Sequence, residues 1–175
     1  MNDLTHEKLQ ELLDREAIRD RLYKYCRGVD NADLNSLKSA YWEDAIDCHG
    51  AYQGTASGFI DAAMQSLKNA VVSIHQISNI LIEYQPEVCR VESKFFALQI
   101  YPENNGYNVE TKIWGRYADI FEKRNNIWKI SKRTVIYDWV QETNTQPISK
   151  ENRFKLRQPI GCLYPEDPIY SLLQL

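Results

Sequence analysis

The sequence has little of what marks a membrane, secreted or fibrous protein. No apolar run reaches the ~18 residues that a membrane-spanning helix needs. The first residues lack the basic start and apolar stretch of a signal peptide. The sequence therefore predicts a cytoplasmic protein with no membrane partner.

Positive charge is also scarce. The formal net charge is −3, and Lys and Arg are scattered through the chain without forming a basic stripe. A protein that follows a phosphate backbone normally has such a stripe. Nucleic acid is therefore not a predicted partner.

Cysteine pairs with metal-ligand spacing are absent. The four cysteines, Cys26, Cys48, Cys89 and Cys162, lie far apart and include no C-x-x-C pair. This spacing predicts neither a zinc site nor a disulfide framework, and we interpret all four as buried small hydrophobic residues. The sequence suggests no metal and no cofactor.

The sequence does contain regularly spaced apolar residues, first with a helical period and later with a strand period, over a length that suits one domain. At 175 residues and 43% hydrophobic composition, the chain suits a single globular domain. Apolar steps of three and four predict helices from about Leu4 to Val29, from Asp33 to about Trp42, and from about Ser57 to Ala70. Between the last two, residues 45–52 are predicted to form a short strand.

Beyond the third helix the apolar period changes from 3.6 to 2. Four strands are predicted, at residues 73–84, 88–101, 110–123 and 127–139. Short turns rich in Pro, Asn and Gly separate them, which indicates an antiparallel meander. Because the strands are long, we expect the sheet to curve around the helices, giving an α+β fold.

The last part of the chain loses its periodicity. Residues 1–140 are predicted to form the folded domain, and residues 141–175 an extended arm with apolar anchors such as Leu163 and Tyr170. The arm could dock on its own domain or on a second subunit. A curved sheet also leaves an apolar face to cover, so a homo-oligomer, either dimer or trimer, is predicted.

Three residues are candidates for chemistry. His75 and Asn79 are predicted to share one face of a strand with apolar neighbours, which would put a titratable imidazole in a dry cavity as a general base. Asp30, at the end of the first helix, could orient that imidazole, and Tyr25 could donate to a developing oxyanion. The alternatives are a hydrogen-bonded core histidine, a turn aspartate and a core tyrosine.

Several segments resemble SnoaL-like proteins of the nuclear-transport-factor-two-like superfamily. The resemblance covers roughly Leu4 to Val140. It rests on the run Asp14 to Asp20, Tyr25 with Val29-Asp30, His75 with Asn79, Gly115 to Asp119, and Trp128 to Arg133.

The resemblance implies a cone-shaped barrel in which three helices close one side of a strongly curved mixed sheet, with a pocket at the wide end. It also implies a small apolar or aromatic ligand. Asp30 and His75 match positions shared by the family's dehydratases and its dehydrochlorinase, and Tyr25 matches a tyrosine of the bile-acid 7α-dehydratase. Possible substrate-binding residues are Asn79, Tyr52, His49, Gln99, Tyr117 and Arg133.

The sequence also departs from these relatives. Scytalone dehydratase carries a second pocket histidine on the next strand, where this chain offers only Gln99. The dehydrochlorinase has a lysine where Tyr25 stands. Tyr52 or His49 could supply the missing polar group, and Arg133 could face the pocket mouth.

The functional prediction is a cofactor-independent lyase of the dehydratase type, with His75, Asp30 and Tyr25 as its catalytic residues. The substrate would be a small, largely apolar cyclic or aromatic alcohol or ketone. Three alternatives remain open: an isomerase or cyclase using the same base, a non-catalytic ligand-binding protein, and a structural protein like the small subunits of ring-hydroxylating dioxygenases.

Overall fold

The computed structural model describes residues 3–103 and 105–174, which form five helices and six strands. The helices are α1 (Asp3–Asp30), α2 (Leu34–Ser39), α3 (Ala56–Leu67), α4 (Lys150–Phe154) and α5 (Pro168–Leu173). The strands are β1 (Tyr41–His49), β2 (Tyr52–Thr55), β3 (Val72–Glu83), β4 (Val88–Pro102), β5 (Asn108–Arg124) and β6 (Ile127–Thr145). None of the described helices has the length and apolarity needed to span a membrane.

All six strands belong to one mixed sheet in the order β2-β1-β6-β5-β4-β3. The four long strands β3 to β6 form the predicted antiparallel meander, and β1 pairs with β6 in parallel. The predicted α+β cone fold is confirmed. In the described residues the sheet is not closed into a barrel, because β2 and β3 each form an edge.

Helix α1 crosses the concave side of the sheet with its second half. Ile18, Leu22 and Val29 are buried there in the main core. Contrary to the helical pattern, Leu9 and Leu13 are about half exposed, at 48% and 56%. Among the described residues, side-chain hydrogen bonds from α1 to the sheet begin at Asp14, which accepts from Lys123 of β5 at 3.1 Å, so the earlier turns of α1 extend past the sheet.

The turn between α1 and α2 depends on a glycine. A Cβ atom at Gly28 would lie 2.6 Å from the backbone nitrogen of Leu37, which is closer than real Cβ atoms approach. Asp33 then caps α2, accepting from the backbone N–H groups of Asn35 and Ser36 at 3.0 and 3.1 Å. The two helices therefore pack closely just where α1 ends at Asp30.

The predicted boundary between α2 and the first strand is wrong. The second helix ends at Ser39, and Tyr41 and Trp42 begin β1. Tyr41 is buried, and its hydroxyl donates to Asp47 at 2.7 Å, while the Trp42 indole N–H donates to the Glu122 carbonyl oxygen at 3.1 Å. One contact within β1 and one contact to β5 thus outweigh the local helical pattern at these residues.

The inward face of β3 changes part-way along the strand. A bulge between Ser78 and Leu81 has Asn79 at φ +49°, a left-handed conformation that Asn tolerates better than most residues. His75 and Ile77 face inward before the bulge, and Ile80 faces inward after it. The prediction that His75 and Asn79 share one face is therefore wrong, since Asn79 is exposed.

The segment after Val140 is not extended throughout. Strand β6 continues to Thr145, and the short helices α4 and α5 follow. The chain then returns to its own domain, where the Tyr164 backbone N–H donates to the Asn31 carbonyl oxygen at 2.7 Å and the Tyr170 hydroxyl donates to Asp33 at 3.1 Å. This end of the chain thus contacts the turn that follows Asp30.

Two of the four cysteines match their predicted burial. Cys26 and Cys89 are buried, whereas Cys48 is half-buried and Cys162 is exposed. All four are free thiols. The prediction fails for Cys162 because it lies in the surface segment between β6 and α5.

Candidate active site

A short contact joins Asp30 to His75. His75 Nδ1 lies 2.6 Å from Asp30 Oδ1, and the His75 backbone N–H donates to Asp30 Oδ2 at 2.8 Å. The helical layer and the edge strand β3 are thereby linked by a carboxylate that holds both the backbone and the ring of one residue. With Nδ1 engaged by the carboxylate, Nε2 is the ring nitrogen left for a substrate.

Both side chains are sheltered from solvent without being sealed off. The exposed fraction is 7% for the His75 side chain and 19% for that of Asp30. The Ser73 hydroxyl lies 3.5 Å from Asp30 Oδ1 as a further neighbour. In such a setting an imidazole can accept a proton, because the adjacent carboxylate stabilises the imidazolium.

His75 opens into a cavity of about 220 Å³, here called the site cavity. Its walls come from α1, α3, β4 and the ends of β1 and β3, so it lies between the helices and the concave side of the sheet. It is lined by Tyr25, Val29, His49, Phe59, Ala63, Ser66, Leu67, His75, Gln99 and Tyr101. The lining combines apolar side chains with a few polar groups, as small-molecule sites typically do.

Tyr25 is a buried residue of the cavity wall. It is only 1% exposed, and its ring packs edge-on against Tyr117, with 5.6 Å between ring centroids. Burial raises the pKa of Tyr25 well above its usual value, although the nearby Arg133 guanidinium acts in the opposite direction. The phenol therefore stays protonated at neutral pH and can serve as a hydrogen-bond donor.

Arg133 lies in the core and not at the pocket mouth. Its side chain is fully buried, and its Nε and Nη2 donate to the two Asp119 oxygens at 2.8 and 2.7 Å. The guanidinium contacts the rings of both Tyr25 and Tyr117, 4.1 and 4.0 Å from their centroids. The predicted direction of Arg133 is wrong because Asp119, its partner on the adjacent strand β5, binds it internally.

The structure brings some of the other predicted ligand contacts to the cavity and not others. His49 and Gln99 line it. Tyr117 lies behind Tyr25, stacked on Phe95 at 4.4 Å between centroids. Tyr52 donates to the Thr55 carbonyl oxygen at 2.8 Å within its own turn, so the structure does not bring it to the site cavity. The same holds for Asn79, which the bulge turns outward.

A second, larger cavity of about 460 Å³ lies between α2, β1 and α3. Lys38, Trp42, Ser57 and Lys129 are among its lining residues, and it contains no histidine. The larger cavity is therefore not the one that contains the histidine. We assign the candidate site by chemistry: of these two cavities among the described residues, the site cavity is the one with an imidazole paired with a carboxylate.

The family model for the SnoaL-like domain matches residues 10–134. The chain belongs to the SnoaL-like family. No match was found among curated proteins.

Solved structures support the fold of this SnoaL-like protein. A hexachlorocyclohexane dehydrochlorinase, LinA type 2, superposes with a TM-score of 0.71 at 23% identity, covering 82% of this chain and 98% of that one. LinA type 3 from Novosphingobium barchaimii gives 0.70 at 22% identity, covering 81% and 99%. A protein from Novosphingobium aromaticivorans, provisionally described as a scytalone dehydratase, gives 0.68 at 18%, covering 82% and 98%. At these identities the likeness shows the fold alone.

Some residues of the SnoaL-like site escaped the sequence analysis. The α3 wall, which includes Phe59, Ala63 and Leu67, was predicted only as a helix face. Asp47 was missed, although it precedes His49 by two residues on β1 and strand alternation puts both on one face. Among the described residues, no group of three or more His, Cys, Asp or Glu side chains is arranged to hold a metal ion.

Proposed function

We propose that this SnoaL-like protein is a cofactor-independent lyase that removes water from a small cyclic or aromatic alcohol bearing a ketone. The observation that carries the proposal is the 2.6 Å contact between His75 Nδ1 and Asp30 Oδ1 at the wall of the site cavity. A half-buried carboxylate behind an imidazole is an arrangement that suits general-base catalysis.

The proposed reaction begins with His75. Its Nε2 accepts the proton from the carbon beside the carbonyl, and the Asp30 carboxylate stabilises the imidazolium that forms. Negative charge then develops on the carbonyl oxygen. Tyr25 donates a hydrogen bond to that oxygen, which it can do because its raised pKa keeps the phenol protonated.

Cavity size and lining support the proposed substrate class. At about 220 Å³ the site cavity is smaller than the ~300–1,000 Å³ of drug-sized ligand sites. Val29, Phe59 and Leu67 provide apolar walls. A compact, flat molecule with one or two rings therefore fits better than a large one. Two structural neighbours carry hexachlorocyclohexane in their names, and this is a single-ring compound of the same size class.

The proposal is tested with cyclic β-hydroxy ketones, such as 3-hydroxyindan-1-one, followed by mass spectrometry of the product. We expect the wild type to release a product lighter by one water, and His75→Ala to lower kcat/KM by about 10³-fold. His6→Ala serves as the control, because His6 is exposed on α1, away from the cavity.

Three outcomes would contradict the proposal. Full activity in His75→Ala would exclude His75 as the base. A product of unchanged mass that depends on His75 would favour the isomerase or cyclase. Binding without turnover across such a panel would favour a ligand-binding protein.

A further inference from the structure

The site cavity contains a second imidazole that the reaction above does not use. His49, the last residue of β1, lines the same cavity as His75. Its ring stacks on Phe59 with 4.5 Å between centroids and an angle of 13° between planes. Its side chain is 26% exposed, more than that of His75. The stacking fixes the plane of the His49 ring while its edges remain free to make hydrogen bonds.

A buried carboxylate lies behind this ring. Asp47 is fully buried, and its Oδ2 accepts a hydrogen bond from the Tyr41 hydroxyl at 2.7 Å. Its other oxygen, Oδ1, lies 3.5 Å from His49 Nδ1. Within the described part of the chain, neither of these two atoms has a hydrogen-bond partner.

Two facing polar atoms without partners indicate an interaction that is nearly formed. A buried polar atom left unpaired destabilises a fold, so partnerless atoms this close to each other are unusual. A shift of about 0.6 Å would bring 3.5 Å to the usual N–H···O length of about 2.9 Å. Catalytic hydrogen bonds are often long before substrate binds and tighten in the complex.

Arg133 does not donate a hydrogen bond to Asp47 Oδ1 in place of His49. It is opposite Asp47 in the β1–β6 pairing, but two of its nitrogens donate to Asp119 and its Nη1 also has no partner among the described residues. Asp47 is therefore held by Tyr41 on one side and directed toward His49 on the other.

We propose that His49 is a second catalytic residue, the general acid that protonates the departing hydroxyl group, and that Asp47 is its positioning residue. This inference rests on the proposed function. It assigns the second part of the elimination, the departure of the hydroxyl group, in which His75 takes no part. It also narrows the substrate class to alcohols whose hydroxyl must be protonated in order to leave.

In the proposed elimination two bonds break and two protons are transferred. The C–H bond beside the carbonyl breaks and its proton goes to His75 Nε2, while the electron pair of that bond forms the new C=C bond. The C–O bond breaks and its electron pair stays on oxygen, which takes the proton from His49 Nε2 and departs as water. His75 ends protonated and His49 neutral, and exchange with solvent restores both.

A leaving-group comparison tests the role of His49. The two probes are 3-hydroxyindan-1-one and 3-chloroindan-1-one, which give the same indenone but differ in whether the leaving group needs a proton. We expect His49→Gln to lower kcat about 100-fold on the hydroxy probe and less than threefold on the chloro probe. His75→Ala should lower both. Equal losses on the two probes in His49→Gln, or no loss on the hydroxy probe, would overturn the inference.

A second measurement does not depend on turnover. In ¹⁵N-labelled protein, the ring-nitrogen chemical shifts report which nitrogen carries the proton. In the wild type we expect Nδ1 to carry a proton in both forms of His49, the imidazolium that donates from Nε2 and the neutral ring that remains after the transfer. In Asp47→Asn we expect the proton of the neutral ring to shift toward Nε2, with His75 unchanged. Cys48→Ala is the matched control, because Cys48 lies between the two residues on the opposite face of β1 and should alter neither ring.

The same spectra separate the two proposals. Saturation with indan-1-one, which has no leaving group, should move the signals of both histidines. Movement of His75 alone would overturn the role of His49 and leave the base intact, whereas unchanged His49 signals in Asp47→Asn would overturn the positioning role of Asp47. Full turnover in His75→Ala would instead contradict the proposed function itself.

Discussion

Two carboxylates in this protein each hold a basic side chain from another element, in opposite surroundings. Asp30 contacts His75 at the wall of the site cavity, 2.6 Å apart. Asp119 contacts Arg133 in the core at 2.7 Å, with both side chains at 0% exposure. The distances are nearly the same, so geometry alone does not distinguish the two pairs.

The difference lies in which partner can change its charge. Burial alone would lower the pKa of Arg133, but the Asp119 carboxylate raises it well above its usual value, so the guanidinium stays charged. An imidazole, by contrast, gains and loses a proton in the physiological range. The core pair therefore suits a structural role, and the cavity pair suits proton transfer.

The strongest test of this comparison removes the core cation. Arg133→Met leaves Asp119 as a buried carboxylate without a partner, and we expect a loss of about 3–5 kcal/mol in the free energy of unfolding. Urea denaturation measures it. Arg116→Met is the control, because Arg116 pairs with Asp138 in an exposed ion pair and should change stability little. Equal losses in the two variants would refute the structural role of the core pair.

Tyr25 contacts both regions, so its hydroxyl tests them separately. Tyr25→Phe keeps the ring that stacks on Arg133 and removes only the hydroxyl. We expect kcat on the hydroxy ketone to fall about 100-fold, because the oxyanion loses a donor, while the urea midpoint stays near that of the wild type. A large drop in stability with unchanged kcat would assign the hydroxyl to the core instead.

A third pair, between Asp14 and Lys123, tests the effect of pH. Burial alone would raise the pKa of Asp14, but hydrogen bonds from Tyr84, Lys123 and Gln10 lower it overall. We expect Asp14→Asn to lose about 1–3 kcal/mol of stability at pH 7.

The sign of the pH dependence follows from the lowered pKa. The carboxylate stabilises the fold above its unfolded value of about 3.9, and this contribution is lost as pH falls through the lower folded value. The gap between wild type and Asp14→Asn, measured by thermal unfolding across pH, should therefore close below about pH 4. A gap that persists there would mean that Asp14 acts through shape and not charge.

Periodicity predicted most of the fold because the long elements are regular. The strand 88–102 and the helix 56–67 lie close to their predicted bounds, since alternation and helical steps report directly on burial. The strand 127–145 begins where it was predicted to begin but continues past its predicted end at residue 139. Tyr41 and Trp42 escaped because their apolar side chains fit a helix pattern locally. Their hydrogen bonds to Asp47 and Glu122 depend on the folded sheet and could not be predicted from the local sequence.

The site was predicted less completely than the fold. The contact between Asp30 and His75 could be expected from the resemblance to the family, since both positions recur there. The direction of Arg133 and the outward turn of Asn79 depend on a buried partner on another strand and on a bulge. Neither leaves a signal in the alternation of residues.

Gly28 links the packing of the helices to the chemistry of the cavity. Since Asp30 follows it in the last turn of α1, the closeness of α1 and α2 also sets how far the carboxylate reaches toward β3. A single methyl group added at position 28 would push the helices apart. That displacement would move the Asp30 carboxylate relative to the His75 imidazole. A position with no functional group of its own thus affects the placement of the Asp30 carboxylate.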